Sequence, residues 1–344
     1  MLALLGFAAN QEPTAAEPAA LDSAALQSGA ASSIAALTVT AQPLPSQAAR
    51  PRIGVSIPAA DHGWTAGVVW WARECARLNP GIDWTIATAE TPEKQISDIE
   101  TMMAKGVDAL VILATESAPI TPIAEEAHSR GILIVNVDRG FLKPVADIFI
   151  EGDNKAFGRT SAEFMVQKLG GKGKAKGKII VLEGIPSTVN TDRVNAALAV
   201  FRSEPGIQIV GQQAANWNRQ KALEVTETLL QKSPDVTAIW ASDDDMALGA
   251  EQALREKGLE DVWILGGAGM KDIVKRVMDK DPMFPADVTY PPSMIATGMH
   301  LAGSVLSGGK RKEVMRYMPR HLMIDVELIT PENAKNYYFP ESVY

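Results

Sequence analysis

Five short stretches of this 344-residue chain gather side chains able to hold a polar ligand. They are Asp61-His62-Gly63-Trp64, Asn136-Val137-Asp138-Arg139-Gly140, Pro186 to Arg193, Asn216-Trp217-Asn218-Arg219 and Ser242-Asp243-Asp244-Asp245-Met246. Adjacent Asp138 and Arg139 can accept from and donate to vicinal hydroxyls through charge-assisted hydrogen bonds, while a local salt bridge is the plainer use of the same pair. His62 and Trp64 fall on a loop that can meet a ligand, although a Trp there can also dock a helix. Asn190 and Arg193 bring donors to the third stretch, Arg193 the strongest. The three consecutive Asp residues suit the positive end of a helix dipole, and capping alone accounts for one of them, for which Asp245 is the candidate. This is the chemistry of recognition. No G-x-x-x-x-G-K-[ST], H-E-x-x-H or G-x-S-x-G occurs, and Gly266-Gly267-Ala268-Gly269 lacks the G-x-G-x-x-G spacing and acidic partner of a dinucleotide loop.

The elements that must position these residues alternate. Short β-branched runs cover Arg52–Ile57, Trp84–Thr88, Ala109–Leu113, Ile132–Val137, Asp147–Glu151, Lys178–Glu183, Ile207–Gln212, Thr237–Ala241, Val262–Leu265 and Asp287–Tyr290. Between most of them lie helix-length stretches such as Thr65–Leu78, Pro92–Lys105, Pro119–Arg130, Lys155–Leu169, Asn190–Ser203, Arg219–Gln231 and Asp245–Lys257. Strands alternating with helices argue for βαβ units and parallel sheets. Thr91-Pro92 is a helix start, and Gly106 and Gly131 are stops. About ten strands are too many for one small sheet, so the reading is α/β with two doubly wound lobes. In such folds ligands sit at the carboxyl ends of the strands, where the five stretches fall.

Composition narrows the class. The 33 Lys and Arg against 41 Asp and Glu leave a formal net charge of −8, which speaks against an electrostatic grip on nucleic acid. A hydrophobic share of 46% with 22% charged residues is that of a soluble globular protein. No apolar run approaches the ~18 residues of a membrane span. The single Cys75 excludes an internal disulfide framework and multi-Cys metal sites. It falls inside a helix and reads as packing, while His128, His300 and His321 are scattered, so no metal is expected. Trp70, Trp71, Trp84, Trp240 and Trp263 read as core, and the alternating Lys172 to Lys178 run as a solvated loop. Residues 1–50, rich in Ala, Ser, Pro, Gln and Thr after a short apolar patch, read as a leader or disordered linker. The patch reads either as the tail of a secretory signal, incomplete or atypical because its basic start is missing, or as a meaningless tail from a misplaced start codon.

From Pro51 to about Thr330 the chain resembles a periplasmic sugar-binding protein of the ribose-binding type, whose fold is shared with lactose-repressor effector domains. The resemblance rests on Val137-Asp138-Arg139, Glu151-Gly152-Asp153-Asn154, Asn216-Trp217-Asn218-Arg219 and above all Asp243-Asp244-Asp245-Met246-Ala247-Leu248-Gly249-Ala250. It implies an N-terminal lobe of residues 51–152 plus 291–321 and a C-terminal lobe of 153–290 plus 322–344. A three-segment hinge would cross near Gly152–Asp153, Tyr290–Pro291 and His321–Met323, with the ligand cleft between the lobes. It also implies ligand contacts from Asp138, Arg139, Arg193, Trp217 and Asp243, with Trp64 as one of two stacking aromatics and Thr65 in place of the other. His62 falls where relatives often carry Asn, and Tyr290 where they often carry Gln. Gly267 and Ala268 replace an aromatic and an Asp, so ribose itself is not implied.

The expected function is a monomeric solute-binding protein of an ABC-type importer, taking a neutral monosaccharide or polyol by hinge closure without cofactor or chemistry. Its partners would be a membrane permease and, as a further candidate, a chemoreceptor, and its place the periplasm. A sugar-sensing effector domain and a small-molecule enzyme are the alternatives; a repressor would need a DNA-reading helical segment that residues 1–50 do not offer. The strand-end polar set is expected to serve binding and to matter little for folding.

Overall fold

The computed structural model describes residues 50–307 and 310–344; the leader expected over residues 1–50 lies, Arg50 excepted, outside them. The first half alternates as read: β1 (Arg52–Pro58), α1 (Gly63–Leu78), β2 (Asp83–Ala89), α2 (Pro92–Ala104), β3 (Ala109–Ile112), α3 (Ser117–Ser129), β4 (Leu133–Val137) and β5 (Ile148–Gly152). The second half continues with α4 (Asn154–Lys168), β6 (Gly177–Glu183), α5 (Thr188–Arg202), β7 (Ile207–Ala214), α6 (Arg219–Lys232), β8 (Ala238–Ala241), α7 (Asp244–Glu256), β9 (Trp263–Leu265) and α8 (Lys271–Met278). Then come β10 (Asp287–Val288), α9 (Met294–Leu306), α10 (Arg311–Val314), β11 (His321–Ile324) and β12 (Leu328–Ile329).

Local chemistry sets the ends of these elements. Thr91 Oγ1 accepts from the Lys94 N–H at 3.2 Å and Pro92 fills the first turn of α2, where its missing N–H costs nothing. Gly106 and Gly131 follow α2 and α3 at φ of 75° and 82°, the left-handed turn that a side chain resists.

Two parallel sheets result, in the order β2-β1-β3-β4-β5-β11 and β7-β6-β8-β9. Period-2 alternation sends each strand's side chains to opposite faces. Ala109 and Val111 of β3 join the core under α1 and α9, whereas Leu110 and Ile112 join the one under α2 and α3. Both faces are therefore buried, which is why these strands read as continuous apolar runs. In each sheet the order reverses at the first strand, β1 or β6, and the loops leaving that point at the strand ends are where ligands bind in open α/β sheets.

Three expectations change. Asp287–Tyr290 supplies only the two-residue β10, which pairs antiparallel with β12 outside both main sheets. Beyond it Thr289 makes only an isolated parallel bridge with Ala268, while its N–H donates to the Glu327 carbonyl. Leu322–Ile324, expected beyond the lobe boundary, pair with Ile150–Gly152, so the third crossing follows Ile324. Of the five tryptophans read as core, Trp240 and Trp263 are buried, but Trp70 is half-buried and packs edge-on against Trp71.

Candidate ligand-binding site

The loops at the strand ends of both sheets converge on one small cavity. Its walls are His62, Trp64, Asp138, Arg139, Val189, Arg193, Trp217, Asp243, Ala268 and Tyr290. Of the nine residues singled out from sequence, all but Asn190 meet there. Asn190 stands in the first turn of α5 and its Oδ1 accepts from the Gly184 N–H at 2.7 Å; its neighbour Val189 takes the wall position.

Backbone strain collects at the same place. Asp138, Trp217 and Ala268 have φ of 65°, 54° and 120°, conformations that cost a non-glycine residue of the order of 1–3 kcal/mol unless the surroundings hold them. The turn at Asp138 is held by its N–H, which donates to the Ile150 carbonyl at 2.7 Å. Trp217 lies against the backbone at Gly184, where a Cβ would stand 2.1 Å from its ring.

Charged groups are buried and mostly committed. Arg139, 3% exposed, donates through Nη1 to the carbonyls of Ala114 and Thr115 at 3.0 and 2.6 Å. Its guanidinium stacks over Trp217 at 5.2 Å. Its Nε stands 3.8 Å from Asp138 Oδ2, too far for a hydrogen bond, and has no partner. Neither sequence reading of the pair is complete: the arginine braces the loop after β3 and keeps a spare donor. Arg193 lies between the rings of Phe157 and Tyr290, 4.0 and 4.1 Å from their centroids, and donates to Asn154 Oδ1 and the Ser242 carbonyl, both at 2.8 Å.

Tyr290 links the two arginine systems. Its hydroxyl donates to Asp138 Oδ1 at 2.5 Å and accepts from Asn154 Nδ2 at 3.1 Å. The ring lies so close to Gly152 that a Cβ there would stand 2.1 Å from it. Its carbonyl accepts from Trp64 Nε1 at 2.9 Å. Burial raises the Tyr290 phenol well above its ordinary value, and Asp138 adds to the rise, so the hydroxyl keeps its proton. Asn154 and Phe157 are the supports sequence reasoning missed: Asn154 stood in a quoted segment but was assigned no role, and Phe157 reads as an ordinary apolar helix residue.

The acidic run divides its labour differently from the expectation. The cap of α7 is Asp243, whose Oδ1 accepts from the Met246 N–H at 3.1 Å. As the last extended residue before the helix, at φ −167° and ψ 152°, it faces that donor; Asp245 is already in the first turn. Burial pushes the Asp243 carboxyl up to about 6. Asp244 turns inward and accepts from the Gly267 and Met270 N–H groups, both at 2.8 Å. Asp245 reaches to the N–H of Gly63 at 2.6 Å and also accepts from Arg219 Nη2 at 2.8 Å.

Two other places lie apart from this cavity. Cys75 Sγ, His300 Nε2 and Asn79 Nδ2 meet between α1 and α9, at 3.7 Å and 3.2 Å. The thiol is buried, and burial raises its pKa, which withholds the thiolate a nucleophile needs. A larger, mostly apolar cavity lies along Tyr290–Ser293 and the C-terminal segment; none of the buried arginines lines it. Among the described residues no cluster of His, Cys, Asp and Glu could hold a metal ion, and no helix is long and apolar enough to cross a membrane.

Residues 53–310 match the family described as periplasmic binding protein domain. The chain is 34% identical over 218 residues to the ribose import binding protein of Bacillus subtilis, covering 63% of this chain and 69% of that one. It is 27% identical over 232 residues to a xylitol-binding protein of Mycolicibacterium smegmatis, with 67% and 65% covered. An ABC transporter periplasmic solute binding protein from Actinobacillus succinogenes, solved with bound D-allose, superposes with a TM-score of 0.72 at 26% identity, covering 84% of this chain and all of that one.

Proposed function

The chain belongs to the periplasmic binding protein domain family, and from that premise we infer that it is the solute-binding component of an ABC-type importer, taking a neutral monosaccharide or polyol between its lobes. The observation that carries this reading is the set of unsatisfied polar groups in a small, charge-balanced cavity. Arg139 Nε is a buried donor without a partner, and no donor among the described residues reaches the second oxygen of Asp243. Arg139 and Arg193 are balanced by Asp138 and Asp243, so the lining favours a neutral ligand that both donates and accepts. Hydroxyls do both. Trp64 and Trp217 offer apolar faces for the C–H side of such a ligand. Relatives named for ribose and xylitol and one solved with D-allose support the ligand class.

Function here is capture without chemistry. Closing the lobes buries the ligand and presents both to a membrane permease, in the manner of hinge closure around a ligand. The family points to the periplasm as the place of work. Thermal shift against D-ribose, D-allose, xylitol and a wider set of pentoses, hexoses and alditols tests the reading, since a ligand at ~100 times its Kd adds about 2.7 kcal/mol. The ligand should be recovered unchanged by mass spectrometry. Shifts from amino acids or nucleosides alone would reject the ligand class, and turnover would reject pure binding.

Asp243 gives the reading a pH signature. With its carboxyl pushed up to about 6, it is the ionised acceptor a ligand hydroxyl needs only above that value. Affinity measured by calorimetry should therefore rise between pH 5 and pH 7, by up to about tenfold for one pKa unit of coupling. Asp243→Asn should bind more weakly at pH 7 and lose this dependence. A parent protein whose affinity falls across the same window would remove Asp243 from the ligand's acceptors.

A further inference from the structure

We propose that Gly63 is the seat of an interlobe clasp, closed by Asp245 from one side and by the ring of Tyr344 from the other, which sets how readily the lobes shut without touching the ligand. The inference rests on the reading that the protein binds by closure, and it names groups outside the ligand cavity that control the step.

Gly63 opens α1, in the lobe of the first sheet. Its N–H donates to Asp245 Oδ2 at 2.6 Å, and Asp245 belongs to α7 in the other lobe. A Cβ on Gly63 would stand 2.8 Å from Asp245 Oδ2, 2.9 Å from Met270 Cε and 3.0 Å from Tyr344 Cε2. All three obstacles come from beyond the cleft, none from α1's own lobe. One turn on, a Cβ on Gly67 would stand 2.9 Å from Pro292 Cγ and 3.1 Å from Tyr344 Cβ. Residues four apart share a helix face, so α1 turns a bare stripe towards the Tyr344 side chain. Glycine in a helix interior costs roughly 0.5–1 kcal/mol against alanine, a loss this close approach explains at Gly67.

The Tyr344 segment travels with the second lobe. The short 3₁₀ helix Ala334–Asn336 packs on α8, and Lys271 Nζ donates to the Ser342 carbonyl at 2.7 Å. From that anchorage Tyr344 crosses to α1 and is 6% exposed, with its hydroxyl buried and without a partner. The ring therefore acts as a wedge by shape, not by a hydrogen bond. Neither Asp245 nor Tyr344 lines the ligand cavity, so both are positioning residues.

A ligand-free assay reads the clasp directly. Gly140 N–H donates to Thr188 Oγ1 at 3.1 Å across the cleft, and a Cβ on Gly140 would stand 3.6 Å from that oxygen. Gly140→Cys with Thr188→Cys should thus form a disulfide only when the lobes shut, and its rate in glutathione buffer measures closure. Added to that background, Tyr344→Ala and Gly63→Ala should each slow cross-linking by about fivefold or more, the low end of typical coupling between sites. Tyr344→Phe should cross-link like the parent because the lost hydroxyl has no partner. Gly63→Ala guards against a folding artefact, since alanine favours the helix it opens. An unchanged rate in Tyr344→Ala or Gly63→Ala would overturn the clasp, and Tyr344→Phe as slow as the alanine variant would overturn the wedge. Slowed cross-linking in a protein that binds amino acids or nucleosides and no member of the pentose, hexose and alditol set would leave the clasp standing and reject the sugar reading.

Discussion

Arg139→Ala should abolish ligand binding and lower folding stability by about 3–5 kcal/mol, the cost of breaking a buried pair by removing one partner. The side chain is 3% exposed and its neighbour Asp138 is 2% exposed. Removing the guanidinium leaves Asp138 with the Tyr290 hydroxyl as its remaining close partner and strips the Ala114 and Thr115 carbonyls of a shared donor. Burial already raises the Asp138 carboxyl against the opposing charge of Arg139, so the variant should fold with that carboxyl protonated. Trp217 loses the cation over its ring as well. Urea denaturation and calorimetric titration of one preparation separate the two effects. Lost binding with parental stability would return Arg139 to a purely ligand-facing role, one of the two roles its sequence position allows.

That contrast marks what the sequence could and could not carry. The loops were legible because βα units put their polar residues at strand ends, while the choice of Asp138, Arg139, Arg193, Trp217 and Asp243 within them rested on the family resemblance. What those residues do with their atoms was not legible, because the partners are remote. Trp64 Nε1 meets the carbonyl of Tyr290, 226 residues away, and the Tyr290 hydroxyl meets Asp138, 152 away. The shift of the cap from Asp245 to Asp243 turns on which residue is the last in extended backbone, a one-residue matter below the precision of sequence boundaries. The end of the chain was harder still. β10 and β12 are two residues each, too short for any alternation to show, and α9 is apolar enough to hide its face. The wedge of Tyr344 against Gly63 and Gly67 leaves only two glycines at helical spacing as its trace.

Stability should fall as pH rises from about 4 to about 7, and Asp287→Asn should remove much of that fall. Asp244 and Asp287 are both 0% exposed and close enough that the charge of Asp287 bears on Asp244. Burial pushes Asp287 up to about 7; burial and the Asp287 charge hold Asp244 well above the carboxylate range. One proton between them relieves the repulsion of two buried charges. A folded-state value above the unfolded one means the folded protein holds the proton more tightly. The stabilisation is then complete below about pH 4 and is lost as pH rises through about 7, on the order of 4 kcal/mol at about 1.4 kcal/mol per unit. Asp243 and Glu151, also raised chiefly by burial, add slopes of the same sign, so the difference between parent and variant isolates the pair. Asparagine at 287 stays neutral, and its amide can donate to the Asp244 carboxylate as the shared proton does. It has one acceptor oxygen for the Gly269 and Val288 N–H groups that Asp287 serves with two, which should cost it about 1–3 kcal/mol at pH 5. The two denaturation curves should therefore cross, with the parent more stable at pH 5 and Asp287→Asn more stable at pH 8. Parallel curves across that window would mean that no proton is shared between the two carboxyls.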